Sequence, residues 1–545
     1  MKLDKVINFK DVYKNRDINE LNELCDDIRE FLINNAQIKN GHIGSSLGVV
    51  ELTVALLSQY NCDESIILFD TGHQSQTYKI LTNRKMFFES MNRLRGLSSF
   101  QEMQESKYDW ISNGHSGTAL GYAFAYAHSK TRENIISVVG DAVFYSAYNH
   151  AGLVNLANIK NKTITILNDN GESIGENGIK IQNPELYVKS LGLDYVYCED
   201  GHDFNKLFEA LDKADACKNH VVVHVKTIKA NKYNGEKPLA FNHTIAEDTT
   251  GSYQEMIAEQ IEKIFDEDSI LISPGMINSS LFTKLQKKYP NQVIDCGINE
   301  ELCVLMACGF AKAGKKVYVS IFSAFFQRTF DQLVHDVMRN NLPIVFLIDR
   351  AGLNYTSGVS HHGIYDVSLI NNFKDSVIFH PFSYNDILQL KNIIREVDDK
   401  PLFVRYEKGK VVDMGEYVSY GVGKWHEIIF DKKNTKTLIA YGPILKDMYD
   451  YIKEHNLPLN LVNARFINPI DFEMVTKHYN NDLYIYELVI DRANLFVNIR
   501  YFTREKTSTY QINLKDRIIS HGRKHNVLKF LEMDIEKVIN HIMKK

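Results

Sequence analysis

Short apolar runs, each closed by glycine or a polar residue and followed by hydrophobic positions at helical spacing, recur along this chain. The segments NIISVVGD, KTITILND, HVVVHVKT, SILISPG, NQVIDCG, KVYVSIF, LPIVFLID, KTLIAYG, LPLNLVNA and DLYIYEL read as strands covered on both faces. Strand, glycine-containing turn and helix in repeated order predict βαβ units, hence an α/β fold in which each domain is a mainly parallel sheet flanked by helices. Two polar stretches, Asn234 to Ser252 and Glu407 to Glu427, break the rhythm. They predict three domains, 1–247, 250–410 and 425–545.

The length of 545 residues agrees, since domains of about 100 to 200 residues give roughly three or four. Hydrophobic residues at 44% and charged residues at 24% are ordinary for a globular protein, and a net charge of -5 offers no basic footprint for nucleic acid. No run approaches a membrane span, and the first residues lack the apolar core of a secretory signal. The seven cysteines form no C-x-x-C pair, which predicts reduced thiols and a cytoplasmic protein.

Two of the predicted strands end alike. SVVGD closes on Gly140-Asp141, and TITILNDN closes on Asn168, Asp169 and Asn170. Ligands bind outside the carboxyl ends of parallel strands, so both endings fall where a ligand belongs. A helix expected over 142–159 would turn its first amides toward an anion. A carboxylate facing a diphosphate repels it unless a cation lies between, and Asp141 and Asn170 are hard oxygen ligands suited to Mg²⁺. The plainer reading makes Asp141 a helix cap and NDN a turn.

Taken together, GD at one strand end and NDN at the next resemble the diphosphate motif of thiamine-diphosphate enzymes. The resemblance extends through GHIGSSLGVVELTVAL, DTGHQSQTYKILTNR, NGHSGTALG, FFQRTFDQLVHDV and IDRAG, and the chain is similar to the 1-deoxy-D-xylulose-5-phosphate synthases of the transketolase superfamily. It implies a diphosphate and Mg²⁺ domain, an aminopyrimidine domain and a C-terminal domain, in that order. It also implies thiamine diphosphate as cofactor, with Asp141, Asn170 and the carbonyl of Glu172 on Mg²⁺. His73, Gly114, His115, Ser116, Ala142, Val143 and Tyr233 would meet the cofactor, and Ala142 stands where a third glycine is usual. Glu300 would protonate the far nitrogen of the aminopyrimidine, Phe325 would stack on that ring, and Arg328 lies one turn further on. His42 and His361 match histidines of proton transfer, and His243 matches a third less well. By itself Glu300 also reads as a first-turn glutamate at a helix N-terminus.

The resemblance implies an enzyme of isoprenoid-precursor synthesis that joins pyruvate to glyceraldehyde 3-phosphate with loss of CO2. Arg350 and Lys408 would hold the acceptor phosphate, Lys408 replacing an arginine and its planar fork. Met103, Phe322 and Ser357 stand where an arginine, a tyrosine and an aspartate are expected, and the chain is short after residue 180. These departures leave open a relative with another donor or aldose acceptor, or a catalytically silent one. The family's interfaces imply a homodimer whose partners are small substrates, with neither nucleic acid nor membrane.

Overall fold

The computed structural model describes residues 1–39, 42–171, 181–240, 244–245, 247–373, 375–415, 418–504, 506–515 and 517–544. These form two compact units, Met1–Asp248 and Thr249–Lys545.

The first unit is built on five parallel strands, β1 (Ser65–Asp70), β2 (Asn134–Gly140), β3 (Ile164–Asp169), β4 (Asp194–Cys198) and β5 (Val221–Lys226), in spatial order 1-2-3-5-4. Period-two alternation divides its apolar residues between two cores. Ile67, Phe69, Ile136 and Val138 face the layer of helices Ile18–Lys39, Val50–Gln59 and Phe204–Ala216. Ile66, Leu68 and Ile135 face Ala119, Ala123 and Ala127 of the helix Ala119–His128 on the other side. A two-stranded hairpin, β6 (Leu239–Ala240) with β7 (Thr244–Ile245), ends the unit.

The second unit holds two sheets. One joins β8 (Ser269–Ser273), β9 (Val293–Asp295), β10 (Lys316–Phe322), β11 (Ile344–Asp349), β12 (Val377–Phe379) and β13 (Leu402–Arg405) in parallel. The other contains β14 (His426–Ile429), β15 (Lys436–Ala440), β16 (Asn460–Asn463), β18 (Asp482–Tyr486) and β19 (Thr509–Ile512). The intervening strand β17 (Phe466–Asn468) leaves that second sheet and adds an antiparallel edge to β12. As a result Phe379 and Phe466 pack at 5.0 Å between ring centroids, and one apolar core runs from Tyr253 to Ile499.

Every run read as a strand is one, and the α/β class with mainly parallel sheets is observed. The helix expected over 142–159 is instead two, Asp141–Phe144 and Ala147–Leu156. Ser146 is extended and its hydroxyl accepts the Asn149 N–H, so a serine N-cap starts a new helix where a continuous one was expected.

Candidate active site

The carboxyl ends of β1, β2 and β3 lie side by side, with Asp70 opposite Val139 and Gly140 opposite Asn168. Asp141 follows at the start of the four-residue helix and is 7% exposed. Its Oδ1 accepts the Ala142 N–H at 2.8 Å and its Oδ2 the Gly171 N–H at 3.1 Å. The second bond closes the turn that carries Asn170 onto Asp141. Burial, and then the nearby charge of Asp169, push the Asp141 carboxyl up to about 6, against the pull of the two amides and Lys229. Ala142 sits inside the helix with a negative φ, so this position does not demand the glycine that the motif usually carries.

Asn168 is buried and turned away from that turn. Its amide donates to Gln74 Oε1 at 2.8 Å and its Oδ1 accepts from the Thr227 hydroxyl at 2.5 Å. Gln74 also donates to the Asp70 carbonyl, which fixes the short helix Gly72–Ser75 bearing His73 across the ends of β1 and β3. The rings of His73 and His42 stack at 4.9 Å, and the Ser46 hydroxyl donates toward both of their carbonyls. Asp70 is the hidden anchor of the Gly114, His115 and Ser116 loop. Its carboxylate accepts the N–H groups of Gly117 and Ala119 at 2.9 and 3.1 Å, and the hydroxyls of Thr71 and Ser116 meet. Gly72 permits this closeness, because a Cβ there would stand 2.4 Å from the Asn113 carbonyl oxygen. Val143 is buried, and the Tyr233 hydroxyl donates to the Lys237 carbonyl at 2.7 Å. Glu172 and His243 lie outside the described residues.

In the second unit Glu300 opens the helix Glu300–Lys312 at the end of β9 and is 2% exposed. Arg328 donates to it at 3.2 Å. Burial raises the Glu300 carboxyl, Arg328 opposes, and the adjacent Glu301 adds a smaller push upward. Phe325 is half-buried and meets the ring of His361 edge-on at 5.6 Å, while Phe322 stacks on Phe325 at 5.7 Å. Arg350 lies 3.9 Å from the Phe322 ring and donates to the buried Asp349 at 2.9 Å. Four side chains named from sequence thus form one contiguous row, Arg350 and Phe325 on Phe322 and His361 edge-on to Phe325. Lys408 is exposed, as is Met103 in the first unit, and Ser357 donates its backbone N–H to the Asn354 carbonyl.

Sequence reading did not find Asp70, Gln74, Lys229 or Asp349. Asp70 had a signal, since SIILFD ends on an acid before a turn as Gly140-Asp141 does. Lys229, buried beside Asp141, had none.

Comparison with known proteins identifies the family. The profile described as 1-deoxy-D-xylulose-5-phosphate synthase matches residues 3–183, and the transketolase pyrimidine-binding domain matches residues 248–413. The 1-deoxy-D-xylulose-5-phosphate synthase of Malacoplasma penetrans is 31% identical, covering 99% of both chains. That of Fusobacterium nucleatum is also 31% identical, over 96% of this chain and 98% of its own. A solved transketolase from Campylobacter jejuni is 15% identical over 97% of this chain and 100% of that one, with a TM-score of 0.47. The class is therefore a transketolase-type transferase that forms carbon–carbon bonds. Within it, the chain belongs to the 1-deoxy-D-xylulose-5-phosphate synthase family.

Proposed function

We propose that the chain condenses pyruvate with glyceraldehyde 3-phosphate, releasing CO2 and forming 1-deoxy-D-xylulose 5-phosphate, with thiamine diphosphate and Mg²⁺ as cofactors. The observation that carries this is the Asp141 to Gly171 bond, which brings two oxygen-ligand residues, Asp141 and Asn170, to one rim of a parallel sheet. The donor set fits the group, because a buried carboxylate beside a buried lysine suits a dication and a diphosphate together. Asp141 and Asn170 would hold the cation, and the Gly114 to Ser116 loop with His73 would receive the diphosphate. When bound, thiamine diphosphate supplies the nucleophilic carbon and accommodates the electron pair left as CO2 departs.

The chain's own residues do the rest. Glu300, kept from water by burial, holds a proton at its carboxyl for the ring nitrogen of the aminopyrimidine. Phe325 provides an aromatic face for that ring. Arg350, braced by Asp349 and Phe322, offers a guanidinium to the acceptor phosphate, with Lys408 as a second cation. His42 and His361 serve proton transfer at the reacting carbon. Domains 1–247, 250–410 and 425–545 divide the diphosphate, pyrimidine and C-terminal roles, in a cytoplasmic homodimer.

Release of CO2 from pyruvate, measured with thiamine diphosphate and Mg²⁺ in the presence and absence of glyceraldehyde 3-phosphate, tests this. Release that depends on the phosphoaldehyde is expected. Release only with other sugars would overturn the acceptor, and none at all would overturn the activity.

A further inference from the structure

A parallel sheet covered on both faces should be apolar throughout, yet one face of β3, β5 and β4 carries a polar cluster at its carboxyl end. In register, Leu167 pairs with His224, Asp169 with Lys226, and Tyr197 with His224. Asp169, His224 and Lys226 therefore rise on the same side, with Tyr195 and Tyr197 beyond. Asp169 Oδ2 accepts from His224 Nε2 and from Lys226 Nζ, each at 2.8 Å. His224 is itself fixed, its Nδ1 bonded to the Tyr195 hydroxyl at 2.6 Å and its ring edge-on to Tyr197 at 5.3 Å. None of these five residues has a place in the mechanism above.

The other oxygen of Asp169 gives the cluster a purpose. Oδ1 accepts the Gly171 N–H at 3.0 Å, the same N–H that Asp141 Oδ2 accepts at 3.1 Å. One amide thus bridges two carboxylates, on a glycine whose φ of +72° few other residues adopt. Two neighbouring anions sharing one donor repel each other unless one has its charge compensated elsewhere. His224 and Lys226 provide that compensation for Asp169 and draw its charge toward β5.

We propose that Asp169, held by His224 and backed by Tyr195, is a positioning residue that keeps the Asn170–Gly171 turn closed on Asp141 before a cation arrives. Asp169 is then the outer support of the cation site and Asn170 its ligand, which assigns different tasks to adjacent residues of one NDN segment. Outer-shell partners of this kind orient the groups that touch a metal. The inference rests on the reading of Asp141 and Asn170 as cation ligands.

The test is a Mg²⁺ titration of thiamine diphosphate binding, followed by calorimetry, on the full-length wild type and on variants shown by circular dichroism to be folded. His224→Ala should weaken Mg²⁺-dependent binding by about 10- to 100-fold, the usual effect of losing such a support. His224→Gln, which can return an N–H to Asp169, should recover much of that loss. A purely architectural role would lower the melting temperature and leave Mg²⁺ affinity alone, and that result would overturn the proposal. Should His224→Ala fail to fold, Tyr195→Phe carries the test, and unchanged Mg²⁺ affinity there is equally fatal. Wild-type protein that binds thiamine diphosphate without regard to Mg²⁺ would instead refute the assignment of Asp141 and Asn170.

Discussion

Arg328 Nη1 donates to Glu300 Oε2 at 3.2 Å, and the carboxylate it reaches is almost wholly buried. Burial favours the neutral acid and the guanidinium favours the anion, and burial is the larger of the two, so the Glu300 carboxyl is raised from its ordinary range. Glu300→Gln should keep the fold and lower kcat by about 10²- to 10⁴-fold, the range for a lost acid–base group. Arg328→Met removes the opposing charge and should raise the Glu300 pKa further. The limb of the kcat/KM profile where the Glu300 proton is lost then moves to higher pH. A pH–rate profile in which that limb stays in place would contradict this pairing.

Arg350 rests 3.9 Å from the centroid of the Phe322 ring. A cation over an aromatic face contributes about 0.5 to 2 kcal/mol, so Phe322→Leu should raise KM for the phosphorylated aldehyde about 2- to 30-fold. KM for pyruvate should hold, since the phosphate belongs to the acceptor. Arg350→Lys should cost more, because it loses both the fork and the flat face that stacks. Steady-state kinetics with each substrate varied in turn checks both statements.

At Gly72 a methyl group would stand 2.4 Å from the Asn113 carbonyl oxygen and 2.9 Å from the Gln101 nitrogen, both of them backbone atoms. Neither can rotate aside. Gly72→Ala should therefore destabilise the first unit by about 1 to 3 kcal/mol, the usual range for overpacking, and should disturb the Gly114 to Ser116 loop through the Gly72 to Asn113 bond. Thermal unfolding with and without thiamine diphosphate and Mg²⁺ measures both effects.

Glu487 is 1% exposed and accepts from the Leu495 and Phe496 amides and the Tyr441 hydroxyl. Burial nonetheless pushes its carboxyl from 4.5 up to about 7. The folded state then binds the proton more tightly than the unfolded one, so this group's contribution to stability is greatest below pH 4.5 and is lost as pH rises toward 7. Glu487→Gln should flatten that part of the stability profile, read from denaturant midpoints across the range. An unchanged slope would show that Glu487 titrates normally.

Much of this protein was legible in one dimension. Apolar runs such as NIISVVGD and LPIVFLID predict buried parallel strands because, covered on both faces, they need no polar alternation. Chain order also set the strand-end pair Gly140-Asp141 and Asn168 to Asn170, and it placed Glu300 at the start of a helix. The strands Val377–Phe379, Phe466–Asn468 and Thr509–Ile512 are not among the runs read from the sequence, and β17 takes its place as an antiparallel edge on β12 of a different sheet. Register decided the rest. That Asn168 turns toward Gln74 and Asp169 toward His224, while the Gly171 amide after them reaches Asp141, depends on strands far away in sequence, and so does the choice of Asp70 as anchor of the Gly114 to Ser116 loop. Local sequence fixes the kinds of groups at a strand end, whereas their division of labour comes from long-range pairing, which sets the direction of every side chain.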